Sequence, residues 1–179
     1  MRTLAREEAL KEFERFWNDL KEEWFKVEVL QDYSGEDFGP SFKTWIEGDR
    51  EKSIELLKEN ARSSDWAKTA KSIPAKKVRI HIVDEPYSEY LKWEIEHYKL
   101  INIPLVGEEV YLIKREDVIG LDIPDGDFMI FDNTRVVRNY YTPEGKMYKA
   151  DFYDESDDIS KFLELKEKIL SSDIKPLHV

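Results

Sequence analysis

The sequence predicts an α/β fold, with α+β as the alternative: a mixed sheet with helices of an N-terminal region packed on it. Three observations carry this. The chain opens on apolar residues at three- and four-residue spacing, "KKVRIHIVDEP" alternates with period two after Ala75, and the second half runs strand and helix in the order β-α-β-β-β-α.

The opening helix is expected from the stripe Leu10, Phe13, Trp17, Leu20 and Trp24, widened by Phe16, with Glu12, Glu14, Asp19, Lys21 and Glu22 on the wet side. It should end near Lys26, where Phe25, Val27 and Val29 begin to alternate as a short strand. "DYSGEDFGPS" carries loop chemistry, and Ser41 is placed to cap a short helix holding Phe42, Trp45 and Ile46, stopped by Gly48. A further helical stretch covers roughly 51–71, with Ile54, Leu57, Ala61 and Trp66 inward and "RSSDW" as a break.

In the next segment Val78, Ile80 and Ile82 should share one strand face, and Arg79, His81 and Val83 the other. Pro86 fits the first turn of the following helix. Tyr87, Leu91, Ile95 and Tyr98 make its apolar face, and Tyr90, Glu94, His97 and Ile101 lie along another. "EEVYLIKR" is a strand, "DFMIFD" and "TRVVRNYY" form a hairpin turned by "DN", and "GKMYKADFYD" adds an antiparallel strand. A closing helix buries Ile159, Phe162, Leu165 and Ile169, with Asp157 and Asp158 at its start. Residues 1–74 are expected as a helical region packed on the core and 75–179 as the mixed-sheet region, together one compact domain.

The 179 residues suffice for one full core. A net charge of -11 repels nucleic acid and anionic lipid, and no basic run longer than "AKKVR" opposes it. Direct nucleic-acid contact is therefore not expected. Cysteine is absent, which removes disulfides, thiolate nucleophiles and cysteine metal sites and fits a reducing cytoplasm. No segment has the apolar length of a membrane span, so neither membrane contact nor a signal peptide is expected.

Chemical signatures are sparse. No glycine-rich phosphate loop opens a helix. His81, His97 and His178 are isolated in sequence, so no metal and no cofactor is assigned, although His81 and His97 would approach if the strand end meets the helix flank. "DFYDESDDIS" lacks the spacing and glycine of a calcium loop. The polar set that remains is Arg79, Glu85, Tyr90, Glu94 and Asp132, expected either to bind a ligand or to brace the helix on the sheet. Arg79 would fork onto Glu94 or Glu85. Asp132, followed by Asn133, is expected chiefly to hold the hairpin turn by accepting backbone hydrogen bonds. Glu94 and His97 are the candidates for a catalytic acid or base, should the chain be an enzyme.

Four stretches carry a family resemblance: "FKTWIEG", "KKVRIHIVDEPYSEYLKWE", "VGEEVYLIKRED" and "IPDGDFMIFDNTRVVRNYYTPEG". Their distinctive positions are Arg79, Glu85, Pro86, Ser88, Tyr90 and Glu94, then Gly107, Glu108 and Arg115, then Asp127, Phe128, Phe131 and Asp132, with Met129 where an aromatic is usual. In that order and spacing the chain resembles an uncharacterised bacterial domain family, common in actinobacteria, whose members are often encoded near helix-turn-helix regulators. The resemblance implies fold and origin more than activity.

A more distant likeness, on the apolar strand ending in "FD" followed by "TRVV", is to one half of the phospholipase D superfamily. Its catalytic members carry His-x-Lys and then Asp at a short fixed interval. Aligned on Asp132, that motif falls on Asp125 and Asp127, and two carboxylates there repel a phosphodiester. The likeness thus implies a non-catalytic descendant. The expected function is a cytoplasmic binding or regulatory module acting with a protein partner or small ligand, of unknown oligomeric state. The alternative is a hydrolase-like enzyme on a small or phosphorylated substrate, with Glu94, His97 and Arg79 in a cleft.

Overall fold

In the computed structural model, residues 1–154, 156–171 and 175–176 are described, the side chains of 66, 156–158 and 175–176 excepted. His178, the inward placement of Trp66 and the capping role of Asp157 and Asp158 lie outside what is described. One mixed sheet organises the chain, in the order β1 (Arg2–Ala5), β7 (Met147–Tyr153), β6 (Arg135–Tyr141), β5 (Phe128–Phe131), β2 (Glu23–Glu28), β3 (Lys76–Val83), β4 (Glu108–Lys114), β8 (Lys175–Pro176). β2, β3 and β4 run parallel, and the remaining neighbours are antiparallel. The α/β class with a mixed sheet is as predicted, and the four strands named one by one all form between α5 (Glu89–His97) and α6 (Ser156–Leu170), one more than the order β-α-β-β-β-α counts.

The sheet is buried on both faces. On one, Phe16 and Trp17 of α1 (Arg6–Asn18), together with Ala67 and Ala70 of α4 (Asp65–Ser72), pack on Trp24, Met129, Phe131, Val137 and Phe152. Phe16 meets the Phe131 and Phe152 rings edge-on at 5.6 and 5.5 Å, the geometry that aromatic quadrupoles favour. On the other face the predicted stripe of α6, Ile159, Phe162, Leu165 and Ile169, covers Phe25, Val27, Val78, Ile80 and Ile82. Burying such a side chain stabilises the fold by about 1.5–3 kcal/mol. A third cluster joins Leu57 of α3 (Arg50–Ser63) and Trp45 of α2 (Gly39–Ile46) to Tyr90 and Trp93 of α5.

Several boundaries differ from expectation. The opening helix stops at Asn18, and Trp24 belongs to β2, because the Asp132 carboxylate accepts the N–H groups of residues 21–23 and its own N–H donates to the Glu23 carbonyl, tying that segment to the sheet. The first four-residue strand has an exposed pattern with no alternating apolar signal. Leu10 is half exposed rather than part of a core stripe. Ser41 sits inside α2, where it bonds Ser53 and accepts from the Trp93 indole, and does not cap. Pro86 precedes α5, whose cap is Ser88. Beyond His97 the backbone continues as a π-helix, Tyr98–Val106, ended by Gly107 at φ +78°. The break in the 51–71 stretch falls at Ser64, which caps α4.

Candidate functional site

The parallel register of β2 and β3 sets Lys26 beside Arg79 and Glu28 beside His81. All four point to the same sheet face, because Phe25, Val27, Val78 and Ile80 take the other. Near the carboxyl ends of these strands, where parallel sheets commonly receive ligands, the face is roofed by α5 and the π-helix instead of by water. Polar residues at alternate positions of two central strands are therefore buried together, and each needs a partner.

Arg79 meets that need from both sides. Its Nε and Nη2 donate to the two oxygens of Glu108 at 2.7 and 3.3 Å, and its Nη1 donates to Glu28 Oε1 at 2.6 Å. Lys26 donates to the same Glu28 oxygen at 2.5 Å. Burial alone would raise the Glu28 carboxyl pKa, but Arg79 and then Lys26 outweigh it and hold the group well below the usual carboxylate range. Tyr98 donates to Glu28 Oε2 at 2.6 Å, and Tyr90 to Glu94 Oε1 at 2.9 Å. Burial, reinforced by those carboxylates, keeps both phenols far from ionising.

His81 is fully buried. Its Nε2 lies 2.8 Å from the Leu30 carbonyl, so that nitrogen donates. Its Nδ1 lies 3.0 Å from the Tyr98 oxygen and 3.3 Å from Glu94 Oε2. Burial lowers the ring's pKa, yet Glu94 first and then Glu28 overcome it, and the net shift is upward. His97 shifts the other way, because burial dominates; its Nδ1 meets Asn102 Oδ1 at 2.7 Å, and Asn102 donates to Glu108 at 3.1 Å.

A second anchor is Asp127, just ahead of β5. It accepts from Val29 N–H, Tyr33 and Tyr141 at 3.0, 2.6 and 2.7 Å, and Lys26 Nζ stands 4.0 Å away. Burial pushes its carboxyl above the usual range, with Lys26 and the two phenols opposing. Above this floor lies a cavity of about 380 Å³. Lys26, Arg79, Glu94 and Asp127 line its polar side, and Leu10, Phe13, Met129 and Val137 its apolar side. At its edge Arg6 clasps both oxygens of Glu36 at 2.5 and 2.7 Å, and also reaches the Met147 carbonyl.

Of the residues singled out in sequence, Arg79, Tyr90 and Glu94 share this cavity. Arg79 forks onto Glu108 and Glu28, not onto Glu94 or Glu85. Glu85 is exposed at a separate surface cleft, 3.4 Å from Lys114. Asp132 lies at the opposite end of β2, where its carboxylate accepts the N–H groups of Lys21, Glu22 and Glu23. It lies in the turn between β5 and β6 and accepts backbone N–H groups, but these pin the start of β2 and are not the hairpin's own. Among the described residues, the hydrogen bond that joins His97 to the network runs through Asn102. The sequence reading missed Lys26, Glu28, Tyr33, Tyr98 and Tyr141 as partners. For Lys26 and Glu28 the available signal was their alternate placement on β2, matching that of Arg79 and His81 on β3.

The fold and this site define a mixed-sheet α/β domain with a buried, charge-paired floor beneath an amphipathic cavity. The chain belongs to the family described as Domain of unknown function (DUF6879), whose model matches residues 11–175. No curated protein matches it in sequence. Among solved structures it is similar to NucT from Helicobacter pylori, at 13% identity and a TM-score of 0.49, over 96% of this chain and 95% of that one. No described helix is long and apolar enough to cross a membrane.

Proposed function

We propose that this chain is a non-catalytic binding module that takes a small, partly apolar ligand in the cavity between α1 and the β2–β3 floor. The observation that supports it is the pairing of the floor charges with one another. All three nitrogens of Arg79 are engaged by carboxylates, which leaves no ready anion clamp for a hydrolase. What the cavity does offer is recognition. Lys26 uses one recorded hydrogen bond of its three N–H groups and lines the space opposite Phe13 and Val137. A ligand with an acceptor at one end and an apolar body matches that division.

Crystallographic soaking of a fragment library tests this reading. Fragments should collect in this cavity, with an acceptor near Lys26 Nζ, and Leu10→Trp at its half-exposed mouth should exclude them without disturbing the core. Fragments collecting elsewhere, or persisting at full occupancy in Leu10→Trp, would count against it.

A further inference from the structure

Beneath the cavity, we propose, Glu28, His81 and Glu94 form a binding site for a divalent transition-metal ion of the zinc type. This inference is independent of the ligand reading above. One ligating atom from each residue lies within 4.8 Å of the other two, and all three residues are buried. His81 Nδ1 stands 3.3 Å from Glu94 Oε2 and 3.7 Å from Glu28 Oε2. Around a tetrahedral ion with bonds of about 2.1 Å, neighbouring ligand atoms sit about 3.4 Å apart. The spacing therefore suits an ion between them.

The surrounding contacts fix each ligand by its other atom. Glu28 Oε1 is held by Arg79 and Lys26, Glu94 Oε1 by Tyr90, and His81 Nε2 by the Leu30 carbonyl. Nδ1 and two Oε2 atoms converge beside the Tyr98 hydroxyl, which donates to Glu28 Oε2 at 2.6 Å and stands 3.0 Å from Nδ1. An ion would share Glu28 Oε2 with that hydroxyl through the oxygen's second lone pair, and the histidine is oriented through its remote nitrogen as metal-binding histidines are. Glu94 supplies the second, independent observation. Its residue is 8% exposed, and its Oε2 is closed to solvent and makes no hydrogen bond. A cavity ligand cannot touch that oxygen as it stands, whereas a bare ion among the three side chains would satisfy it. An imidazole nitrogen in the set favours zinc, cobalt or nickel over magnesium or calcium. Glu28 and Glu94 are among the residues that line the cavity, whereas His81 lies beneath it.

The rival occupant of the same place is a proton on Nδ1, bridging an imidazolium to Tyr98 and Glu94. Titration of the chelator-treated chain with Zn²⁺ alone separates the two. Calorimetry should give one ion per chain, and Co²⁺ in its place should develop the visible absorption of a four-coordinate site. Glu94→Gln keeps the Tyr90 contact and the shape, and circular dichroism checks that it folds. It should lose more than about 100-fold in Zn²⁺ affinity, beyond what loss of an outer partner costs. Glu89→Gln, on the exposed side of α5, should lose nothing. Absence of stoichiometric binding in the folded wild type, or equal affinity in Glu94→Gln, would overturn the proposal in favour of the proton.

Discussion

Arg79 on β3 and Glu108 on β4 meet fork to fork across two parallel strands, with both oxygens of the carboxylate engaged and both residues at least nine-tenths buried. Removing Arg79 strands the Glu108 charge out of water and takes a cation from Glu28 as well. Arg79→Met should therefore cost about 3–5 kcal/mol, as is usual for a broken buried ion pair. Arg79→Lys should recover only part of that, since an ammonium cannot match the fork. Urea denaturation of the two variants gives the ranking, and equal stability of both with wild type would refute it.

Asp132 accepts three backbone N–H groups while sitting at φ +50°. Asp132→Ala loses the acceptors and adds left-handed strain of about 1–2 kcal/mol. Asp132→Gly loses the acceptors only. The glycine variant should be the more stable of the two despite its greater chain freedom, and thermal unfolding decides.

Gly126 has φ +93°, and a Cβ there would stand 2.2 Å from the Asn139 carbonyl oxygen. That oxygen belongs to backbone and cannot swing aside. Gly126→Ala should destabilise the fold by more than about 2 kcal/mol, well above the cost of a surface glycine substitution. It should also disturb the adjoining Asp127, visible as altered Tyr33 and Tyr141 environments by near-ultraviolet circular dichroism.

Arg15 and Arg2 together hold the Glu12 carboxyl down to about 2 from 4.5. A depressed acid stabilises the fold fully above its unfolded pKa and loses that contribution as pH falls through its folded pKa. The deficit of Glu12→Gln should be present at pH 7, shrink below 4.5 and vanish near 2. Both arginines are about half exposed, so solvent screening limits it to under about 1 kcal/mol. A deficit that grows on acidification would contradict this assignment.

Much of the fold was legible because periodicity survives wherever one face is buried and the other is not. The α6 stripe is of that kind, whereas the hairpin from Phe128 to Tyr141 was legible from its two apolar runs on either side of the "DN" turn, β5 being buried at every position. β1 escaped because only Leu4 of its four residues is even half-buried, and the end of α1 was misplaced because Trp24 continues the helical spacing while belonging to a strand. The site was half legible. Arg79, Tyr90 and Glu94 announced themselves as polar residues on faces that should be packed. Glu28 did not, since it sits within the apolar alternation of Phe25, Val27 and Val29 and only the parallel register of β2 with β3 shows that its own face is buried too. Asp127 was marked only by the family resemblance, and its burial follows from the pairing of β5 with β2. Glu85 drew notice by position at a strand end, and exposure there explains why it joins Lys114 instead.

β2 lies at the middle of the sheet, between β3 and β5, although it comes from residues 23–28. Every assembly route must bring that early segment back to partners about fifty and about a hundred positions downstream before the centre can close. Such long loops slow folding. They also make the chain indivisible: a fragment starting at residue 75 would hold two half-sheets with open edges facing a missing middle strand, a template for aggregation rather than a smaller working unit.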